Sequence, residues 1–234
     1  AQGRDFARGC GVGSGRRVRQ VGRPYKAERR HECHIPDGGP VVSGADFMKK
    51  ELNLLIGGAR SGKSALAERL AGKSDRVLFV ATAQALDEDM KRRITNHRSG
   101  RPDSWHTLEE PVDLAASMRP RIQDYDVVLL DCLTLWVSNM LLQNENTQDV
   151  EQVILAAAKE LMALYESGDC SWIIVSNEVG LGIVPSSSLG RAYRDALGRV
   201  NQLVAARADR VYLMSAGLAL EMKSLGALPV DQIE

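Results

Sequence analysis

Leu52-Asn53-Leu54-Leu55-Ile56-Gly57-Gly58-Ala59-Arg60-Ser61-Gly62-Lys63-Ser64 is the stretch whose reading decides the fold. An apolar run, Leu52 to Ile56, breaks into Gly57-x-x-x-x-Gly62-Lys63-Ser64, and a helix-forming segment from Ala65 to Leu70 follows at once. A phosphate cradle needs that order: a buried strand to anchor the loop, glycines that let successive backbone N–H groups turn inward, and a helix N-terminus aimed at the anion. The nucleotide-binding set therefore begins with Gly57, Gly58, Ala59, Arg60, Ser61, Gly62, Lys63 and Ser64. Lys63 is expected to reach the β and γ phosphates, and Ser64 to hold Mg2+. The plain alternative is a glycine-rich strand-to-helix turn that binds nothing; the complete pattern in its strand-loop-helix setting argues against it.

Downstream, Arg76 to Ala81 is a continuous apolar run of the kind buried on both faces of a parallel sheet. It ends in Thr82-Ala83-Gln84, at the strand edge that faces the ligand crevice in open α/β sheets. Asp87 to Arg98 reads as a charged helix, acidic at its start and basic toward its end, as the helix dipole favours. Met90, Ile94 and His97 share one of its faces. From the residues alone His97 is equally a half-buried helix-end histidine or a functional one, with Arg98 and Arg101 supplying cations beside it. Trp105 to Leu108 is a short strand or extended link, His106 is structural, and Glu109 at its end joins the nucleotide-binding set. Val112 to Met118 is a modest helix.

Asp126 to Cys132 is the second strong signal. Four apolar residues followed by Asp131 at a strand end form a Walker B arrangement, which brings a carboxylate to the Mg2+ held by Ser64. Leu133 to Leu142 continues apolar, and a long helix then places Val150, Val153, Ile154, Ala157, Leu161 and Leu164 on a core-facing stripe. Trp172 to Val175 is a buried strand that runs into Ser176-Asn177-Glu178-Val179-Gly180-Leu181-Gly182-Ile183-Val184-Pro185, a candidate substrate or nucleotide loop. A helix from about Ser188 to Ala208 buries Leu189, Tyr193, Leu197, Val200 and Val204, with Arg191, Arg194, Asp195 and Arg199 on its other side. Arg210 to Met214 is the last strand expected, and Lys223 to Glu234 shows no pattern. Strand and helix alternate throughout, so the expected class is α/β: a P-loop NTPase, RecA-like, three-layer fold with a mostly parallel central sheet.

The 234 residues suit one such domain. Residues 1–47 hold nine basic residues against five acidic ones, are rich in Gly and Arg and show no periodicity. They read as a disordered basic leader, with residues 48–234 as the nucleotide-binding transferase domain and Met48 as the natural initiator. The rest carries 21 basic against 25 acidic residues, which argues against a nucleic-acid partner. No run approaches the roughly 18 apolar residues of a membrane span, and the expected location is the cytoplasm. Cys10, Cys33, Cys132 and Cys170 show no paired spacing and read as free thiols, and His31, Cys33 and His34 match no zinc pattern.

Taken together these motifs resemble the bifunctional adenosylcobinamide kinase/adenosylcobinamide-phosphate guanylyltransferase family of cobalamin biosynthesis. The resemblance runs from about Leu52 to about Lys223. It rests on Gly57–Ser64, Ala81-Thr-Ala-Gln84, Asp87–Met90, Arg93–Arg98 with Arg101-Pro102, Asp131–Val137, Ser176–Pro185 and Arg194–Gln202. It implies two reactions on one scaffold, with ATP or GTP as substrates and Mg2+ as cofactor. A nucleoside triphosphate phosphorylates the aminopropanol hydroxyl of adenosylcobinamide. GTP then guanylylates a histidine, and the GMP passes to adenosylcobinamide phosphate. The family position of that histidine corresponds to His97, with Arg98 and Arg101 offsetting charge at the α-phosphate. The resemblance also implies a homotrimer. Relatives tend to carry proline where Ala219 stands and a basic residue in place of Glu221. The alternatives are a single-activity guanylyltransferase, a kinase for another acceptor, or a RecA-like ATPase or GTPase switch.

Overall fold

The computed structural model describes residues 49–84, 102–145 and 147–233. The expected leader and the expected helix Asp87–Arg98, with His97, Arg98 and Arg101, lie outside the described residues. Seven strands form one sheet: β1 (Leu52–Gly57), β2 (Val77–Ala81), β3 (His106–Glu109), β4 (Val127–Asp131), β5 (Ser171–Asn177), β6 (Arg210–Ser215) and β7 (Leu218–Glu221). Their order across the sheet is β3-β2-β4-β5-β1-β6-β7, and only the β6–β7 pair is antiparallel. Among the described residues five α-helices accompany them: α1 (Lys63–Ala71), α2 (Leu114–Met118), α3 (Leu133–Gln143), α4 (Val150–Ser167) and α5 (Ser188–Arg207).

Side chains alternate across a strand, so each central strand feeds two cores. Leu52, Leu54, Leu78, Val80, Val128, Leu130, Trp172 and Ile174 pack with α3, α4 and α5 on one face. Leu55, Val77, Phe79, Val127, Leu129, Ile173 and Val175 pack with Ala67 and Ala71 of α1 and with Trp105 on the other. The result is the expected three-layer P-loop NTPase fold, in the RecA-like order that sets β5 between the loop-bearing β1 and the acid-bearing β4. No helix among the described residues is long and apolar enough to cross a membrane.

Three readings need correction. The sheet has a seventh strand: Ser215 and Leu218 pair across a two-residue turn in which Ala216 (φ 50) and Gly217 (φ 80) are both left-handed, the geometry of a tight hairpin. The stripe of α4 is rotated from the expected one, because Ala158, Met162 and Tyr165 are buried whereas Val153 is exposed. In α5 the core-facing residues are Ala196, Leu197, Val200, Asn201 and Val204; Leu189 is exposed in the first turn, and Tyr193 is half-buried.

Distant segments are fastened by polar groups. Asp209 accepts from the Leu52 N–H at 2.8 Å and from the Tyr165 hydroxyl at 3.4 Å, tying the start of β1 to α4 and to the end of α5. Lys50 donates to the Tyr165 and Gly168 carbonyls at the α4 C-terminus, each at 2.6 Å, where a cation complements the helix dipole. His106 Nδ1 lies 3.1 Å from the Tyr125 hydroxyl, in keeping with a structural role. Glu221 accepts from the N–H groups of Lys223 and Ser224, so the acid serves the turn that follows β7.

Candidate active site

The parallel strands all end at one edge, and the loop after β1 emerges in the middle of it. Its path takes unusual backbone angles, at Gly57 (φ 155) and Gly62 (φ 97), which glycine tolerates, and at Arg60 (φ 57). A Cβ at Gly57 would stand 2.2 Å from the Met214 carbonyl oxygen of β6, so no side chain fits there. Gly62 precedes α1 and offers no side chain to cap it, which leaves the N–H groups of the first turn without intrahelical partners. Such a terminus attracts an anion. The β6–β7 turn braces the loop from the side, Gly217 donating its N–H to the Ser61 carbonyl at 3.1 Å.

Lys63 is buried and folds back over the loop. Its Nζ donates to the Gly57 and Gly58 carbonyls at 3.0 and 2.6 Å and lies 3.4 Å from Ser61 Oγ. Burial lowers its pKa, partly offset by the nearby Cys132 and Asp131. A desolvated ammonium held mainly by carbonyl dipoles gains strongly from a phosphate oxygen.

Ser64 Oγ lies 3.3 Å from Asp131 Oδ2, which brings the helix start and the β4 end together. Two hard oxygen donors this close fit a divalent cation whose remaining ligands are phosphate and water. Behind them, Thr82 is fully buried. Its hydroxyl donates to the Cys132 carbonyl at 2.8 Å and accepts from the Cys132 N–H at 2.9 Å, fastening β2 to the residue after Asp131. The Asn139 carboxamide donates to the Thr82 and Pro111 carbonyls at 2.9 and 3.1 Å. Burial, reinforced by the Asp131 charge, pushes the Cys132 thiol up to about 11, so it stays protonated at neutral pH. Cys132 and Cys170 are both free thiols.

Of the remaining expected site residues, Ala83 is half-buried and Gln84 exposed beyond β2, and Glu109 is exposed at the end of the neighbouring edge strand β3. Glu110 beside it closes the next turn, accepting from the N–H groups of Val112 and Asp113 and from the Ser117 hydroxyl; burial opposes its ionisation, but these hydrogen bonds carry its pKa below the usual carboxylate value. The structure thus brings together the loop, Ser64, Thr82 and Asp131; His97, Arg98 and Arg101 fall outside the described residues.

One polar cluster was not foreseen. Ser176, fully buried, donates to Asn201 Oδ1 at 2.6 Å, and Asn201 Nδ2 donates to the Asn177 carbonyl at 3.1 Å. Thr134 Oγ1 accepts the Asn177 N–H at 2.9 Å, and the Glu178 N–H donates to the Gly57 carbonyl at 3.2 Å. The sequence singled out Ser176–Pro185 as a candidate loop and Arg194–Gln202 as a motif, but not the pairing of Ser176 and Asn177 with Asn201. On the α5 side of the sheet, beside residues 178–181, a cleft of about 640 Å3 has an apolar floor that includes Ile56, Val211 and Leu213 and a rim with Arg194 and Arg199.

Residues 53–222 match the family model described as cobinamide kinase / cobinamide phosphate guanyltransferase. The bifunctional adenosylcobalamin biosynthesis protein CobU of Escherichia coli K12 is 43% identical over 178 residues, covering 73% of this chain and 98% of its own. CobP of Pseudomonas aeruginosa PAO1 is 45% identical over 174 residues, with 73% and 96% covered. CobU of Salmonella typhimurium LT2 is 40% identical over 178 residues, with 73% and 98% covered. Among solved structures, an ATPase from the type III secretion system of pathogenic bacteria superposes with a TM-score of 0.49 at 12% identity, covering 77% of this chain and 59% of that one; at that score the likeness adds nothing to the assignment. On the family match and these identities, the chain belongs to the cobinamide kinase / cobinamide phosphate guanyltransferase family.

Proposed function

We propose that this protein phosphorylates adenosylcobinamide and then transfers GMP from GTP to adenosylcobinamide phosphate, giving adenosylcobinamide-GDP. The observation that carries the reading is a phosphate loop with Lys63 and the Ser64–Asp131 pair at its mouth, in a chain 40–45% identical to bifunctional CobU and CobP proteins.

In the kinase step the acceptor hydroxyl oxygen bonds to the γ-phosphorus as the bond to the β–γ bridging oxygen breaks. The nucleoside diphosphate leaves with the electron pair, and the hydroxyl proton passes to solvent. The loop N–H groups and the α1 terminus hold the triphosphate, and Lys63 exchanges the Gly57 and Gly58 carbonyls for β and γ oxygens. Ser64 and Asp131 would hold Mg2+, which supplies charge neutralisation between the phosphates. Thr82 and Asn139 keep Asp131 and the neighbouring strand end in place. Ala83, Gln84 and Glu109 line the same edge and complete the nucleotide set.

In the second step the His97 imidazole attacks the α-phosphorus of GTP and pyrophosphate leaves. A phosphate oxygen of adenosylcobinamide phosphate then displaces the imidazole and takes the GMP. Arg98 and Arg101 offset the charge at the α-phosphate. The transferase domain runs from residue 48, works in the cytoplasm and assembles as a homotrimer. Apolar side chains on the 178–187 loop and on β7 support self-association, Leu181 being 89% and Ile183 97% exposed.

The test is mass spectrometry of protein incubated with α-labelled GTP. A GMP adduct on His97, acid-labile and lost in His97→Ala, is the expected result; an adduct retained in that variant refutes the assignment.

A further inference from the structure

We infer that Asn177 is a catalytic residue of the kinase step, its carboxamide donating a hydrogen bond to a non-bridging oxygen of the γ-phosphoryl group as it transfers. This rests on the kinase reading above and adds a residue to it.

The inference follows from the alternation of β5. Ile173 and Val175 face the core beneath α1, whereas Trp172 and Ile174 face the core beneath α3, α4 and α5. Ser176 continues the second set, and its contact with Asn201 of α5 agrees with that. Asn177 therefore falls on the α1 face, the face that carries the phosphate loop. The same parity places Asp131 of β4 there, after Val127 and Leu129, and Ser64 of α1 touches it. Because β5 lies between β1 and β4, Asn177 stands between the loop and the acid. Its register partner on β1 is Gly57, the first residue of the loop, and on β4 its strand runs one dipeptide beyond Asp131, which pairs with Val175.

The backbone of Asn177 is held from both sides, its N–H by Thr134 and its carbonyl by Asn201. The next N–H, of Glu178, is held by Gly57. All three locks draw on the loop or on buried residues, Thr134 and Asn201 both lying within the core. The carboxamide itself has no hydrogen-bond partner among the described residues. A fixed backbone presenting an uncommitted donor toward a phosphate loop is the geometry of electrostatic stabilisation, in which a preorganised dipole meets charge that develops on the transferring group. The balance of the step is unchanged: oxygen bonds to the γ-phosphorus, the β–γ bridging bond breaks, and Asn177 transfers no proton.

The test measures γ-phosphoryl transfer to adenosylcobinamide and GMP loading separately in Asn177→Ala and in the isosteric Asn177→Asp, which loses the donor. We expect kinase kcat to fall about 100-fold in both with nucleotide KM changed less than threefold, and GMP loading to fall less steeply. Restoring a donor in Asn177→Ser should recover part of the lost kcat, which a purely structural role would not produce. Unchanged kinase kcat in either variant, or equal losses in the two reactions, would overturn the assignment. Absence of kinase activity in the unaltered protein would instead refute the parent reading.

Discussion

Gly57→Ala tests whether the phosphate loop is shaped by the strand beside it. The added Cβ would stand 2.2 Å from the Met214 carbonyl oxygen and 3.0 Å from its carbonyl carbon, and both atoms belong to the β6 backbone, which pairs with β1 from Asn53 to Gly57. A flexible side chain could turn away; a sheet backbone cannot. The φ of 155 adds strain of about 1–3 kcal/mol for a residue with a side chain. Overpacking against a fixed neighbour typically costs about 1–3 kcal/mol more. The central expectation is a loss of about 4 kcal/mol, or roughly 8–16 °C in Tm for a domain of this size. Gly58→Ala is the control one residue away, since a Cβ there would meet nothing within 4 Å. Thermal unfolding followed by circular dichroism, with nucleotide affinity by calorimetry, separates the two. Gly57→Ala should unfold early and bind nucleotide weakly, because the carbonyl that Lys63 grips moves with it; Gly58→Ala should melt within about 1–2 °C of the unaltered protein. Equal melting temperatures for the two variants would refute the steric reasoning.

Three further outcomes are expected. Lys63→Met should leave the melting temperature near that of the unaltered protein, because a desolvated charge is removed, while kinase turnover falls by at least about 100-fold; turnover within tenfold would remove Lys63 from the chemistry. Thr82→Val keeps the shape but leaves the Cys132 N–H unpaired and its carbonyl with the Trp136 N–H alone, at 3.3 Å, so unfolding measurements should show a loss of about 1–3 kcal/mol. The Tyr165 hydroxyl is pushed up to about 12 by burial, and further by the Asp209 charge and hydrogen bond. Between its ordinary value of 10.0 and about 12 the unfolded chain therefore loses this proton while the folded protein keeps it, and stability falls as pH rises through that window. Tyr165→Phe should show a shallower decline in Tm above pH 10; parallel curves would contradict the assignment.

The legible parts of the molecule were those in which local chemistry and tertiary surroundings agree. The apolar runs of β2, β4 and β5 are buried on both faces, so their sequences needed no partner to be read. Gly57–Ser64 was legible because its glycines meet backbone demands that few residues satisfy. Strand β7 was not, since Leu218-Ala-Leu-Glu221 lacks β-branched and aromatic residues and its turn is Ala-Gly rather than Asn-Gly. Helix α3 is apolar on most sides, which hides its period; its fold-back against the sheet is fixed by Trp136, whose Nε1 donates to the Val112 carbonyl at 2.7 Å. At the site, Asp131 and Ser64 could be paired from motif knowledge, but the Thr82–Cys132 tie and the Ser176–Asn201–Asn177 cluster join segments up to 50 residues apart. Such side chains carry no local signature, because a buried hydroxyl or carboxamide is read only once its partner strand is in place.

The sheet order also governs how the protein emerges from the ribosome. Among the described strands β1 is made first, yet its neighbours are β5 and β6, with Leu52 opposite Trp172 and Asn53 opposite Arg210. A nascent chain must therefore carry Leu52-Asn-Leu-Leu-Ile56 unpaired while roughly 120 further residues are translated, about 6–24 s at 5–20 residues per second. Until then the phosphate loop has no anchored strand behind it and no Gly217 to brace Ser61. Nucleotide capture is in this sense a property of the finished chain, and an exposed apolar strand awaiting late partners is a natural client for a holdase chaperone.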